Sequence, residues 1–480
     1  MNKKIIVYLL GWILIIEAVF MLLPCIVALI YREASGIWFV VVMALCGTIG
    51  FICIHKKPEN LVFFAKEGFV SVSLSWIVLS FFGALPFYLS GEIPLFEDAM
   101  FEIISGFTTT GASILTDVES LSKCMIMWRS VTHWIGGMGV LVFILSILPL
   151  AGGYNMYIMK AESPGPSVGK LVPKVRTTAK ILYKIYLFMT VLQIVLLLIG
   201  GMPLFDSLAI SFGTAGTGGF GIKNDSMAFY NSYYLQGVVT VFMILFGINF
   251  NVYYLFLIRH PKDAFRCEEA RAYLGIIAAS ILLITLNIRG SFENIFSAFH
   301  HAAFQVGSII TTTGFSTVDF DLWPEFSKGI LVVLMFIGAC AGSTGGGFKV
   351  SRVIILLKAI KKELESLIHP RSVKILKLEG KPIEHNVMRS INTFLGAYIL
   401  IFTSSVLVVS LDNFDLTTNF TAVAATFNNI GPGLGGAGPL QNFSHFSPLS
   451  KIVMMFDMLA GRLEVFPMLI LFAPSTWKNG

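Results

Sequence analysis

FEDAMFEIISGFTTTG, residues Phe96 to Gly111, and FHHAAFQVGSIITTTG, residues Phe299 to Gly314, align without a gap. Both have Phe at the first and sixth positions and Ala at the fourth, and both end in TTTG. Two further stretches have the same length and a similar ending: LFDSLAISFGTAGTGG, Leu204 to Gly219, and LTTNFTAVAATFNNIG, Leu416 to Gly431. Each reads as a half-length, mildly amphipathic helix running into a Thr/Gly/Asn-rich strand. Thr and Gly close many helices, so one TTTG decides nothing. Four at equivalent positions make an internal repeat, and the repeat decides the fold.

The surroundings repeat too. A long apolar helix precedes each segment, at about 68–90, 180–200, 271–289 and 388–411, and another follows it, at about 124–150, 233–258, 327–360 and 449–473. Two more spans, about 5–30 and 36–54, stand in front. Hydrophobic residues make up 55% of the chain and charged residues 13%, more apolar surface than an aqueous fold can hide. About ten spans are expected, each crossing about 30 Å of hydrocarbon. The fold class is an all-α polytopic membrane protein of four pseudo-symmetric helix, pore-helix, filter, helix repeats around a central pore, with two extra N-terminal helices. The expected units are 1–57 for the N-terminal pair and 58–155, 156–262, 263–370 and 371–480 for repeats one to four. The run Ile5 to Ile30 follows Lys3 and Lys4 but exceeds a signal-peptide core of about 7–15 residues, so it is expected to stay in the mature chain.

Lys and Arg concentrate at the N-terminus and in Lys56–Lys66, Lys160–Lys184, Arg259–Arg271 and Lys349–Arg389, while the alternate connections carry few. Basic loops favour the cytoplasmic side, which puts both termini inside and brings every filter strand in from outside. The same rule accounts for the net charge of +6 without nucleic acid as a partner. Cys25, Cys46, Cys53, Cys124, Cys267 and Cys340 have neither metal-site nor redox spacing and read as small apolar residues.

The four strands read TTTGAS, GTGGFG, TTTGFS and NNIGPG. A non-helical strand at membrane depth must be buried in protein or line water, and four of them imply a shared polar axis. Rings of carbonyl oxygen can replace a cation's hydration shell. The expected ligands are backbone atoms of Thr109, Thr110, Thr217, Gly218, Thr312, Thr313, Asn429 and Ile430, around Gly111, Gly219, Gly314 and Gly431. Each half helix aims the negative end of its dipole at the axis, which favours cations.

Two features occur only once. MLAGRLEVFP places Arg462 in the middle of an apolar span with Asp457 and Glu464 nearby, a pore charge or one member of a structural ion pair. GACAGSTGGGFK, Gly338 to Lys349, interrupts the third following helix. Its glycines, each costing about 1 kcal/mol relative to Ala in a helix, predict an unwound loop under the filter. The loop includes Gly342, Ser343, Thr344, Gly345, Gly346 and Gly347, and acts as a gate or as a passive kink. It is no Walker A loop, because Phe348 separates Gly347 from Lys349 and Val350 replaces the required Ser or Thr. His300 and His301 are adjacent and do not share a helix face, so they read as interfacial hydrogen-bonding residues. Trp128–Arg129 and His133–Trp134 read as interfacial or packing pairs. An enzyme using Ser343 with His133 or His301 lacks an orienting acid.

Taken together, TTTGAS, GTGGFG, TTTGFS, WIGGMG, GSTGGG, NNIGPGLG and GRLEVFP resemble the TrkH-type membrane subunits of bacterial potassium uptake systems. The resemblance covers essentially the whole chain, including two N-terminal helices that the related KtrB-type subunits lack. It implies potassium ion as substrate with no covalent cofactor, a channel-like pore in the bacterial inner membrane among membrane lipids, and a homodimer. A cytoplasmic nucleotide-binding regulatory subunit of the TrkA type is implied as the gating partner. By position it implies filter glycines at Gly111, Gly219, Gly314 and Gly431, a gating loop at Gly338–Lys349 and a pore arginine at Arg462. Ser can replace the first filter glycine in the plant sodium-transporting relatives, whereas Gly111 keeps the potassium-type pattern. Asp457 departs from the family pattern. A secondary potassium/proton or potassium/sodium symporter is the alternative, although such folds usually carry inverted repeats, whereas these four run parallel.

Overall fold

The computed structural model describes residues 2–58, 65–139, 175–370 and 375–477. The expected continuation of the first following helix over 140–150, and the part of the second basic loop before residue 175, lie outside the described residues.

Lys3–Phe20 continues through Met21 into Leu22–Tyr31, and Gly36–His55 runs back beside it. In lipid there is no hydrophobic force between apolar helices, so close contact of small residues has to hold such a pair. Gly11 and Gly50 meet that need. A Cβ on Gly11 would lie 2.6 Å from Cys53 Cβ, and one on Gly50 would lie 2.8 Å from the Gly11 carbonyl oxygen.

Four repeats follow. Their leading helices are Ala65–Ser90, Val175–Ile199, Glu268–Ile288 and His385–Val409. Their pore helices are Phe96–Phe107, Leu204–Gly216, Ile295–Ile310 and Leu416–Phe427. The leading helices form an outer layer and leave residues such as Phe188, Leu282 and Leu400 exposed. The pore helices lie inside it, with Phe101, Phe107, Ala209, Phe304 and Ala424 buried. A short hairpin, Lys377–Leu378 paired with Lys381–Pro382, joins repeats three and four.

The following helices depart from expectation. Only the third was expected to break, yet the second splits into Tyr233–Phe246 and Phe250–Leu257 with an 89° bend, and the fourth into Pro448–Arg462 and Phe466–Phe472. The third splits as expected, into Glu325–Ile337 and Val350–Ile368. Among the described residues, six helices are long and apolar enough to cross a membrane, or seven counting the bent pair, rather than about ten. The first following helix is described only to Gly139, and the other three are broken within their expected ranges. The first and fourth following helices press their backbones against the C-terminal ends of pore helices: a Cβ on Gly136 would strike the Phe107 carbonyl, and one on Gly461 the Phe427 carbonyl. Beyond these contacts the chain turns through positive φ, at Gly139 in the first and at Glu464 and Val465 in the fourth.

Gly50→Leu should force the two N-terminal helices apart, overpacking of this kind costing about 1–3 kcal/mol. A lower midpoint for loss of the monodisperse peak on heating in detergent is expected. Gly47→Ala, whose Cβ would meet nothing within 4 Å, should leave the midpoint in place.

Candidate functional site

All four pore helices end in the same backbone device. The N–H of Thr110, Gly218, Thr313 and Ile430 donates to the carbonyl of Ser105, Gly213, Ser308 and Ala425, each at 2.8 Å. The preceding residue closes the shorter loop, as when Thr109 N–H donates to Gly106 O at 3.1 Å and Thr312 N–H to Ile309 O at 3.1 Å. This pair of bonds is the Schellman motif, which needs one left-handed residue. That residue is Thr109, Thr217, Thr312 or Asn429, with φ of 57°, 56°, 60° and 57°. A β-branched residue there stores about 1–3 kcal/mol of strain, and its side chain finds partners. Thr312 Oγ1 accepts the Gly346 N–H at 2.6 Å, and Asn429 Nδ2 donates to Thr110 Oγ1 and Met458 O, both at 2.9 Å.

Two residues further on, Gly111, Gly219, Gly314 and Gly431 also have positive φ, at 81°, 74°, 87° and 98°. Here glycine is needed for conformation and for space. A Cβ on Gly111 would strike Gly218 O, one on Gly219 would strike Thr313 O, one on Gly314 would strike Ile430 O, and one on Gly431 would lie 2.9 Å from Thr110 O. Strand one touches two, two touches three, three touches four, and four touches one. The ring is closed. Among the described residues, no hydrogen bond is donated to the carbonyls of Thr109, Thr110, Thr217, Gly218, Thr312, Thr313, Asn429 or Ile430. The structure thus brings every residue expected in the filter to one closed ring of strands, with eight carbonyl oxygens free to meet water or a cation.

The ring is held from behind by residues whose importance the sequence reading missed. Arg129 and Glu102 form a fully buried ion pair at 2.7 Å. Glu102 also accepts the Ile114 N–H at 3.0 Å, and Arg129 donates to Gly221 O at 3.2 Å with its guanidinium over the Phe220 ring. His133 Nδ1 lies 2.9 Å from Gly106 O, and its Nε2 accepts the Phe220 N–H at 3.3 Å. Arg129 and His133, expected to be interfacial or packing residues, are buried against Phe220, and they also join strands one and two. On the fourth strand Tyr398 donates to Asn428 Oδ1 at 2.7 Å. An arginine inside an apolar helix was the available signal for the first tie. Tyr398 gave none. His300 and His301 do hydrogen-bond, to Gln236 and Thr317.

On one side the four glycines line a cavity of about 150 Å³ together with Arg129, Lys223 and Asn224. At its rim Lys223 pairs with Glu119 at 2.6 Å and Asn224 donates to Asp117 at 2.9 Å. The Asn224 hydrogen bond lowers the Asp117 carboxyl, and the Lys223 hydrogen bond the Glu119 carboxyl, from their ordinary values.

On the other side lies the unwound segment Gly338–Lys349. Gly347 N–H donates to Asn428 O at 3.1 Å, and Lys349 Nζ bonds the Gly345 carbonyl. Arg462 is the last residue of Pro448–Arg462 and stands at the break, not in mid-helix as expected. It donates to Thr344 O at 2.9 Å, to Gly136 O at 2.5 Å and to Gly137 O at 2.9 Å. Repeats one and three face each other across the ring, so this one side chain from repeat four bridges them directly under the filter. The salt-bridge partner of Glu464 is Arg352, at 2.6 Å, and Asp457 accepts from Ser405 at 2.8 Å, so neither supplies the ion pair considered for Arg462.

Residues 37–290 and 291–479 match the family model described as TrkH, cation transport protein. The chain is 36% identical to the Trk system potassium uptake protein TrkH of Salmonella typhimurium and 32% identical to TrkG of Escherichia coli. All of this chain is covered in both, with 100% and 99% of those proteins. The crystal structure of the potassium transporter TrkH from Vibrio parahaemolyticus superposes with a TM-score of 0.90 at 35% identity, over the full length of both chains.

Arg129→Ala leaves Glu102 buried and alone, a change that costs roughly 3–5 kcal/mol. The purified variant should melt well below wild type, and adding Glu102→Leu should recover part of the loss. An unshifted melting curve for Arg129→Ala would rule out the tie.

Proposed function

Because this chain belongs to the TrkH family of cation transport proteins, we propose that it takes up potassium ions across a bacterial inner membrane through a channel-like selective pore. The observation that carries this reading is the closed ring in which each filter glycine abuts a carbonyl of the next strand. Potassium sheds its water into the carbonyls of Thr109, Thr217, Thr312 and Asn429 and of Thr110, Gly218, Thr313 and Ile430. Inward movement is driven by the membrane potential, worth about 2.3 kcal/mol per charge for 100 mV.

Beneath the filter, Arg462 and the segment Gly342–Gly347 close the path. The guanidinium is held by carbonyls on two opposite repeats. Its charge opposes a cation leaving the filter, so conduction requires the loop and the arginine to move together. Basic connections put the termini and this gate on the cytoplasmic side. There a nucleotide-binding regulatory subunit of the TrkA type acts on it, and two copies of the chain form a homodimer. The working units are the N-terminal pair, 1–57, and the repeats 58–155, 156–262, 263–370 and 371–480.

Purified protein in liposomes tests the proposal by potassium and rubidium flux. Gly111→Ser should relax discrimination against sodium, because a side chain there displaces the Gly218 carbonyl; an unchanged ion ratio would count against this filter. Arg462→Ala should raise flux severalfold at unchanged selectivity. Turnover limited to hundreds per second and dependent on a proton gradient would overturn the channel mechanism in favour of symport.

A further inference from the structure

The link between repeats two and three passes through Phe250–Leu257 and Pro261–Arg266 into the leading helix Glu268–Ile288. Both ends of this link are fastened to the unwound loop. At the first end, Cys340 N–H donates to Gly247 O at 3.1 Å and Phe250 N–H donates to Gly342 O at 3.0 Å. At the second, Glu269 Oε1 accepts the Ala341 N–H at 2.7 Å and the Ser351 N–H at 3.0 Å. Its other oxygen faces Asn249 Nδ2 at 3.5 Å, the outer limit of a hydrogen bond, and Asn249 Oδ1 in turn caps the helix after the bend through Asn251 N–H at 2.9 Å. Glu269 is only 4% exposed.

One buried carboxylate therefore touches an early residue of the loop, the first turn of the helix after it, and the elbow of the neighbouring repeat. A loop with several glycines gains little rigidity from its own residues. Buried backbone N–H groups need an acceptor, and a carboxylate is a stronger acceptor than an amide or hydroxyl oxygen. We infer that Glu269 is the positioning residue that holds the unwound loop in its closed shape, so that movement of the 250–268 link reaches the loop through this side chain. The link offers a handle for such movement, since Phe265 is 70% exposed beside Phe256. The inference rests on the loop being the gate, and the test separates the two ideas.

Cys340, fully buried and next to Ala341, is the native reporter. With Cys25, Cys46, Cys53, Cys124 and Cys267 replaced by Ala, the rate at which a small methanethiosulfonate reagent modifies Cys340 reads loop opening. Glu269→Ala should raise that rate at least tenfold and raise basal rubidium influx severalfold, with the potassium-to-sodium ratio unchanged. Glu269→Gln keeps an acceptor oxygen but loses the charge, and should label at a rate between those of the wild type and Glu269→Ala, which a general loss of packing would not give. If Glu269→Ala is not recovered as a monodisperse protein, Glu269→Gln and Asn249→Ala decide the matter by the same readout, each expected to label faster than wild type. An unchanged labelling rate in the folded variants overturns the role of Glu269. Faster labelling with unchanged influx keeps that role and removes the loop as gate.

Discussion

A backbone carbonyl at membrane depth that no amide satisfies is a liability several kcal/mol deep, and this chain gathers such carbonyls in one closed ring of strands. Most of the fold can be derived from that constraint. The oxygens must face one another rather than lipid, so the strands converge, and the residues between neighbouring strands can have no side chain. To reach that geometry each pore helix must end abruptly, which the left-handed caps at Thr109, Thr217, Thr312 and Asn429 achieve. To keep lipid away, the pore helices are sheathed by leading helices whose outer faces carry the exposed leucines, isoleucines and phenylalanines.

Oxygens of like partial charge repel when no cation lies between them, so a ring of this kind needs bracing from outside. The bracing differs around the ring. Between strands one and two it is ionic and aromatic, through Arg129, Glu102, Phe220 and His133. Between strands four and one it is the Asn429 amide on Thr110. Equivalent backbones thus rest on unequal side-chain supports. Position 305, aligned with Glu102, holds a glutamine whose amide nitrogen and oxygen are both buried and unbonded.

The repeat was legible because backbone demands leave a local trace. Thr, Gly and Asn at fixed offsets after a short apolar helix report the cap and the close approach, and both recur in every copy. The third helix break was legible for the same reason, since GSTGGG cannot stay helical. The breaks after Phe246 and Arg462 were not, because GIN and RLEV contain no comparable run of glycine. There the chain unwinds under tertiary contact, with the unwound loop at Gly247 and with the Phe427 carbonyl at Gly461, which propensity does not encode. The tie of Arg129 was missed for a related reason. Its place inside an apolar helix signals a buried partner, but only the fold brings Glu102 to it from another helix. Glu269 sits at the start of a helix, where an acidic residue is ordinary, and nothing nearby in sequence points to Ala341 or Ser351.

Arg462 has a consequence that reaches beyond this pore. A ring assembled from four identical subunits repeats every side chain four times, and four guanidiniums crowded under one filter would repel one another by roughly 4 kcal/mol per pair at 4 Å in a partly polar medium. A homotetramer that carried this arginine would have to bear that repulsion. Fusing the four quarters into one polypeptide removes the copying rule. A single codon then sets a single guanidinium bridging repeats one and three, and a change at position 462 leaves the other three quadrants as they are.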